Sequence, residues 1–159
     1  MLLRSLIMLP VLLLVSAAPG TPLDVGHDLL RTVEYRDGSG FLDLLSTSLS
    51  AQIEARFQQF RELAENDPAL ADGLLEHAGI NVTSFEVQWM STADFVSRLL
   101  DSAGFPALED LVSENADMKG RNAEVTLVWQ DGTALTLQMV WEDSGWRICG
   151  SSMLAGLFQ

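Results

Sequence analysis

Residues 123–150 read AEVTLVWQDGTALTLQMVWEDSGWRICG. Three runs rich in β-branched, aromatic and aliphatic residues are separated by Asp131-Gly132 and by Ser144-Gly145, the pattern of three antiparallel strands joined by tight turns. Turn length decides which side chains share a face. A two-residue Asp131-Gly132 loop would set Gln130 opposite Thr133 and scatter the large apolar residues over both faces. A three-residue loop, Gln130-Asp131-Gly132 with Gly132 in the left-handed position, sets Trp129 opposite Thr133, Leu127 opposite Leu135, Val125 opposite Leu137 and Ala123 opposite Met139. A one-residue slip moves every side chain to the other face, so the apolar pattern selects the three-residue loop. An even offset at the second turn adds Trp141, Trp146 and Ile148 to the same face. The opposite face carries Glu124, Thr126, Val128, Thr136, Gln138, Val140, Arg147 and Cys149, a mixed surface suited to water or to a second copy of the chain.

Upstream the period changes from two to that of a helix. Thr21-Pro22 opens a helix carrying Val25, Leu29, Leu30 and Val33, with its end expected near Tyr35 before the Asp37-Gly38 turn. Phe41, Leu42, Leu44 and Leu45 form a short apolar helix. Leu49, Ile53, Phe57, Phe60 and Leu63 make one stripe on a long helix, a spacing that indicates core. After Asn66-Asp67-Pro68, a helix over Ala69 to Ala78 is expected to turn Leu70, Leu74 and Leu75 inward and to end at Gly79. Phe85, Val87 and Trp89 alternate as in a short strand. Ser91-Thr92-Ala93-Asp94 starts a further helix with Phe95, Val96, Leu99 and Leu100 on its face. Leu111 to Met118 is a polar strand candidate closed by Lys119-Gly120-Arg121-Asn122. The apolar tail Met153 to Phe158 carries no assignment. Helices first and a meander last give an α+β class, a curved antiparallel sheet packed against N-terminal helices in a cone-like arrangement.

Composition bounds the partners. In 159 residues, 9 Lys+Arg stand against 22 Asp+Glu, a formal net charge of -13. Such a surface repels nucleic acid and anionic membranes. Cys149 is the single cysteine, which rules out an internal disulfide and a cysteine zinc cage. With only His27 and His77 as histidines, neither a histidine-rich metal site nor a cofactor is expected. Arg4, the apolar run Leu6 to Val15 and the small residues Ser16, Ala17 and Ala18 read as a signal peptide over 1–17, leaving a single domain over 18–159. The expected location is the periplasm or the exterior, with an uncleaved N-terminal anchor as the alternative. No later stretch is long and apolar enough to span a bilayer.

A helix, the Tyr35-Arg36-Asp37-Gly38 turn, a helical cover, then strand, Asp131-Gly132, strand and Gly145-Trp146-Arg147-Ile148 resemble the nuclear-transport-factor-2-like superfamily, in particular its small exported bacterial domains. The resemblance spans the whole mature chain and implies a sheet curled around a pocket roofed by helices. It would make the apolar sheet face the pocket lining, with Tyr35, Trp89, Trp129 and Trp141 as ligand-binding wall residues. Enzymes of that superfamily are similar to one another in holding a carboxylate base, often with Tyr or His, inside the cone, where burial tunes its pKa. This chain departs from them: the core face of its three clear strands has no Asp, Glu, His or Tyr.

The remaining chemistry-bearing residues have bland readings. His27 and Asp28 lie on the first helix and His77 near a helix C-terminus, where its charge would complement the dipole. Asp94 is a capping residue, and Tyr35 a packing residue at a helix end. Trp89, Trp129, Trp141 and Trp146 fit core filling or an aromatic platform for a flat ligand. Cys149 reads as an inert small residue, and the Asn81-Val82-Thr83 sequon as chance. Two functions follow as expectations. One is an exported non-catalytic domain that binds a small apolar ligand or a protein partner, or forms a homodimer through the mixed sheet face. The other is a lyase or isomerase of the ketosteroid-isomerase type whose acid or base comes from a helix or from the Leu111 to Met118 strand.

Overall fold

The computed structural model describes residues 20–104 and 106–152; the expected signal segment and the apolar tail lie outside them. The fold is α+β. Six helices, α1 (Pro22–Glu34), α2 (Gly38–Asp43), α3 (Thr47–Asn66), α4 (Pro68–His77), α5 (Ser84–Trp89) and α6 (Thr92–Ser102), precede four strands. These are β1 (Leu111–Lys119), β2 (Asn122–Trp129), β3 (Ala134–Glu142) and β4 (Gly145–Ser151), paired in chain order as an antiparallel sheet that does not close.

The hairpin register follows from the turn. The Trp129 N–H donates to the Thr133 carbonyl at 2.9 Å, and the Gly132 N–H to the Trp129 carbonyl at 2.9 Å. Gly132 has φ 85°, a left-handed conformation that costs a glycine almost nothing. Leu127 pairs with Leu135, Val125 with Leu137 and Ala123 with Met139. Across the second turn Trp141 pairs with Trp146 and Met139 with Ile148. Pairing then slips, with Gln138 opposite Gly150, so Cys149 is the extra residue of a β-bulge.

Two apolar clusters result. The first joins the sheet face to α1, α2 and α6, with Val125, Leu127, Leu137 and Ile148 completely buried. Gly26 of α1 lies directly over the sheet: a Cβ there would stand 3.4 Å from Val125 and 3.7 Å from Leu127. The second cluster is helical, built on Phe57 and Ala64 of α3, Ala71 and Leu75 of α4, and Val87 of α5. The α3 stripe divides between them, Ile53 entering the first and Phe57 the second. The α6 helix does the same, with Val96 and Leu100 in the first and Phe95 and Leu99 packed on the second.

Two local expectations are corrected. Phe85 to Trp89 is not a strand but the short helix α5, started by a capping box in which Thr83 and Glu86 satisfy each other's backbone N–H groups. Leu70 and Leu74 face outward, 50% and 46% exposed. Ala71 and Leu75, four residues apart, form the inward line of α4 instead, and fully buried Ala64 and Ala71 let α3 and α4 approach closely. The α4 end is a Schellman closure, with Ile80 N–H donating to Leu75 at 2.9 Å and Gly79 N–H to Glu76 at 3.0 Å.

Long-range links hold the helices to the sheet. Segment 44–46 pairs in parallel with β4, Ser46 N–H donating to Ile148 at 2.8 Å and Ile148 N–H to Leu44 at 2.9 Å. That edge of the sheet is thereby covered, while charged Glu114, Asp117 and Lys119 stand on the β1 edge. Glu142 on β3 accepts from the Thr47 N–H at 3.0 Å at the start of α3, placing an anion at a helix N-terminus. The Tyr35-Arg36-Asp37-Gly38 motif is the α1–α2 corner: Arg36 adopts φ 56°, and Gly38 N–H donates to Ser97 Oγ of α6 at 3.0 Å.

Gly38 permits that contact, since a Cβ there would stand 2.0 Å from the Ala93 carbonyl oxygen and 2.6 Å from Ser97 Oγ. Gly38→Ala is expected to cost about 3 kcal/mol or more, and Leu127→Ala a similar amount through its cavity. Urea titration of each variant checks this; a Gly38→Ala loss below about 1 kcal/mol would contradict the close approach.

The capping carboxylates set an acid limit. Asp24 and Glu86 are held below their usual pKa mainly by backbone N–H groups of Thr21 and Thr83, and Asp94 mainly by the Ser91 hydroxyl. A depressed folded-state pKa contributes stability above the unfolded value and loses it as pH falls through the folded one. The melting temperature is therefore expected to hold near neutral pH and to fall below about pH 4. The triple variant Asp24→Asn, Glu86→Gln, Asp94→Asn should start lower and respond less to acid, which thermal melts across that range will test.

Candidate functional site

An open apolar concavity lies among the helices, not on the sheet. It has a volume of about 530 Å³, within the ordinary range of small-molecule sites. The α3 helix contributes Ile53, Arg56, Phe57 and Phe60, at the i, i+3, i+4, i+7 spacing of one helix face. Leu74 and Leu75 of α4, followed by Ala78 and Ile80, form a second wall, and Phe95 and Leu99 of α6 help to form a third. Asp67 sets the angle between the first two walls. Its N–H ends α3 on the Leu63 carbonyl at 2.7 Å, and its carboxylate starts α4 on the Leu70 N–H at 3.1 Å.

Aromatic packing fixes the floor. Phe57 and Phe95 stack with centroids 4.9 Å apart, and Phe60 tilts against Phe95 at 5.7 Å. The Arg61 guanidinium lies over the Phe57 ring at 4.8 Å and donates to the Met90 carbonyl, so it braces the floor. Polar groups are few. Thr92 donates to the Glu54 carboxylate, and Ser102 Oγ donates to the Leu99 carbonyl at 2.8 Å. The Thr92 hydroxyl is the largest cause holding the Glu54 carboxyl below its usual pKa. Arg56 is exposed at the mouth.

The four wall residues expected from the sequence do not converge. Tyr35, the residue that ends α1, is 75% exposed, and Trp89, at the end of α5, is 78% exposed. Trp89 meets Phe85 edge-on at 6.5 Å. Trp129 is buried, its indole N–H donating to the Ala107 carbonyl at 2.9 Å. Pro106, Asp110 and Gln130 line a small depression beside it. Trp141 packs edge-on against Trp146 at 5.4 Å. The aromatic platform is thus reduced to the Trp141–Trp146 pair, and the apolar sheet face is occupied by α1, α2 and α6 side chains.

One polar pair was foreshadowed only in pieces. His27 of α1 meets Glu114 of β1 through its Nε2, both side chains about one-third exposed. Glu114 pairs across the ladder with Leu127, so it projects on the core side of the sheet at its rim, where α1 supplies His27. His77 and Cys149 are exposed and in other parts of the fold. Local desolvation raises the Cys149 thiol pKa, keeping it protonated near neutral pH. Among the described residues no group of three or more His, Cys, Asp and Glu side chains is placed to hold a metal ion, and no helix is long and apolar enough to cross a membrane.

Arg56 escaped notice in the sequence because it interrupts no pattern. Its one signal is its spacing, three residues after Ile53 and four before Phe60, which places it on the cavity side of α3. Comparisons with known protein families, curated proteins and solved structures find no match to this chain.

The His27–Glu114 contact lies in partly exposed surroundings and is expected to contribute under about 1 kcal/mol. A double-mutant cycle with His27→Ala and Glu114→Ala measures it; a coupling above about 3 kcal/mol would instead mark a desolvated pair.

Proposed function

We propose that this chain is an exported, non-catalytic domain of nuclear-transport-factor-2-like type that binds a small apolar ligand. The observation that carries the reading is the cavity of about 530 Å³ between α3, α4 and α6, walled by Phe, Leu and Ile side chains. Burying apolar surface there gains roughly 25 cal/mol per Å² before the costs of association. The ligand thus sits in the helical layer rather than against the sheet. The N-terminal address belongs to the same proposal, as does the mixed sheet face as a homodimer surface. Sedimentation at two concentrations addresses that last part, a strict monomer removing it.

A second reading, a lyase or isomerase, is favoured by one observation, the His27–Glu114 pair at the rim of the sheet. A carboxylate that orients an imidazole is a workable acid–base unit. Isomerisation of 5-androstene-3,17-dione, followed by the absorbance of the conjugated enone, tests it. Turnover lost in His27→Asn supports this reading, and no turnover above the buffer rate removes it.

For the binding reading, N-phenyl-1-naphthylamine is an uncharged apolar probe. Its fluorescence is expected to rise and saturate at one probe per chain. Ala78 is exposed at the mouth, so Ala78→Trp should obstruct the cavity without opening the core. At least a tenfold weaker probe affinity is expected in that variant, with an unchanged melting temperature. Equal affinity in the two proteins would place the probe elsewhere.

A further inference from the structure

Arg56 differs from the other described cations. Arg31, Arg36 and Lys119 form ion pairs with Asp28, Asp101 and Asp117. Arg61, Arg121 and Arg147 donate to the carbonyls of Met90, Trp141 and Asp43. Arg98 interacts electrostatically with Glu86 and Asp94. Among the described residues, Arg56 alone of the cations has no ion pair, hydrogen bond or electrostatic partner. In a chain with 22 Asp+Glu against 9 Lys+Arg, carboxylates are abundant enough to pair every cation. The neighbours one turn away on α3 are Gln52, Ile53, Gln59 and Phe60, so the helix itself offers Arg56 no counter-charge.

The remaining polar groups of the lining are spoken for. The Thr92 hydroxyl proton is given to Glu54, whose other carboxylate oxygen accepts from Gln58 at 2.9 Å. The Ser102 hydroxyl proton is given to Leu99. An apolar cavity therefore opens past one uncommitted guanidinium, a planar donor suited to bidentate pairing with a carboxylate.

We propose that the cavity takes a single-chain anionic amphiphile, a long-chain carboxylate, with its tail along Phe57, Phe60, Phe95 and Leu99 and its head group on Arg56. This rests on the apolar-binding reading above and adds the chemistry of the head group. Glu54 near the same rim has its carboxylate hydrogen-bonded from two sides, so it is less available to attract a cationic head than Arg56 is to attract an anionic one.

Calorimetric titration of the full chain at low ionic strength, with each probe below its micelle concentration, tests the assignment. The probes are dodecanoate, 1-dodecanol and dodecyltrimethylammonium, which share a tail and differ in head charge. Dodecanoate is expected to bind about tenfold more tightly than 1-dodecanol, the scale of one charge-assisted pair. Arg56→Gln should bring dodecanoate down to the affinity of 1-dodecanol and leave 1-dodecanol unchanged. Arg56 is exposed, so this substitution is expected to preserve the melting temperature. Equal affinity for dodecanoate and 1-dodecanol, a preference for the cationic probe, or a dodecanoate preference that survives Arg56→Gln would overturn the head-group assignment and leave the apolar cavity standing. No binding of any of the three would overturn the cavity reading and this inference with it.

Discussion

Gly132, left-handed at the tip of the first hairpin, governs the arrangement of the whole molecule. Its conformation closes a three-residue loop, and the loop sets Leu127 against Leu135 and Val125 against Leu137. All the large apolar side chains of the meander then share one face. With the register one residue off, Leu and Trp side chains would point to water and α1 would have nothing to cover. The hydrophobic gain of the first core and the loop geometry thus select the same pairing. That agreement between local and global preference is what makes a single fold from this sequence.

The helical layer does more than cover the sheet. The α3 and α6 helices each divide their apolar residues between two cores, one against the sheet and one among helices. The division separates the candidate site from the meander. The sheet face is fully occupied, with Gly26 bringing α1 to contact distance of Val125. The concavity forms instead where α3, α4 and α6 diverge. In its floor Phe57, Phe95 and Phe60 pack on one another and the Arg61 guanidinium lies over the Phe57 ring.

The misread elements have physical causes. Phe85, Val87 and Trp89 alternate, and alternation over so few residues reads as a strand. The capping box from Thr83 to Glu86 decides for a helix because it satisfies end groups that a strand there would leave to water. Leu70 and Leu74 read as inward because Leu is the more apolar residue. Ala71 instead is fully buried together with Ala64 of α3 in the same cluster, the small pair that a close helix contact calls for. Tyr35, Trp89, Trp129 and Trp141 share an aromatic type, and type carries no information about which elements meet.

By itself the sequence determined the fold class, the helix starts at Thr21 and Ser91, the polar β1 strand and the register of the hairpin. All of these depend on neighbours along the chain or on one adjacent strand, where periodicity and turn chemistry suffice. Only the tertiary structure decided where the concavity lies, that His27 meets Glu114 across 87 residues of chain, and that Arg56 is left without a partner among the described residues. Those features depend on distances between helices that no local pattern encodes. They follow from volume, from how closely Ala64 and Ala71 let two helices approach, and from how far apart the third is held.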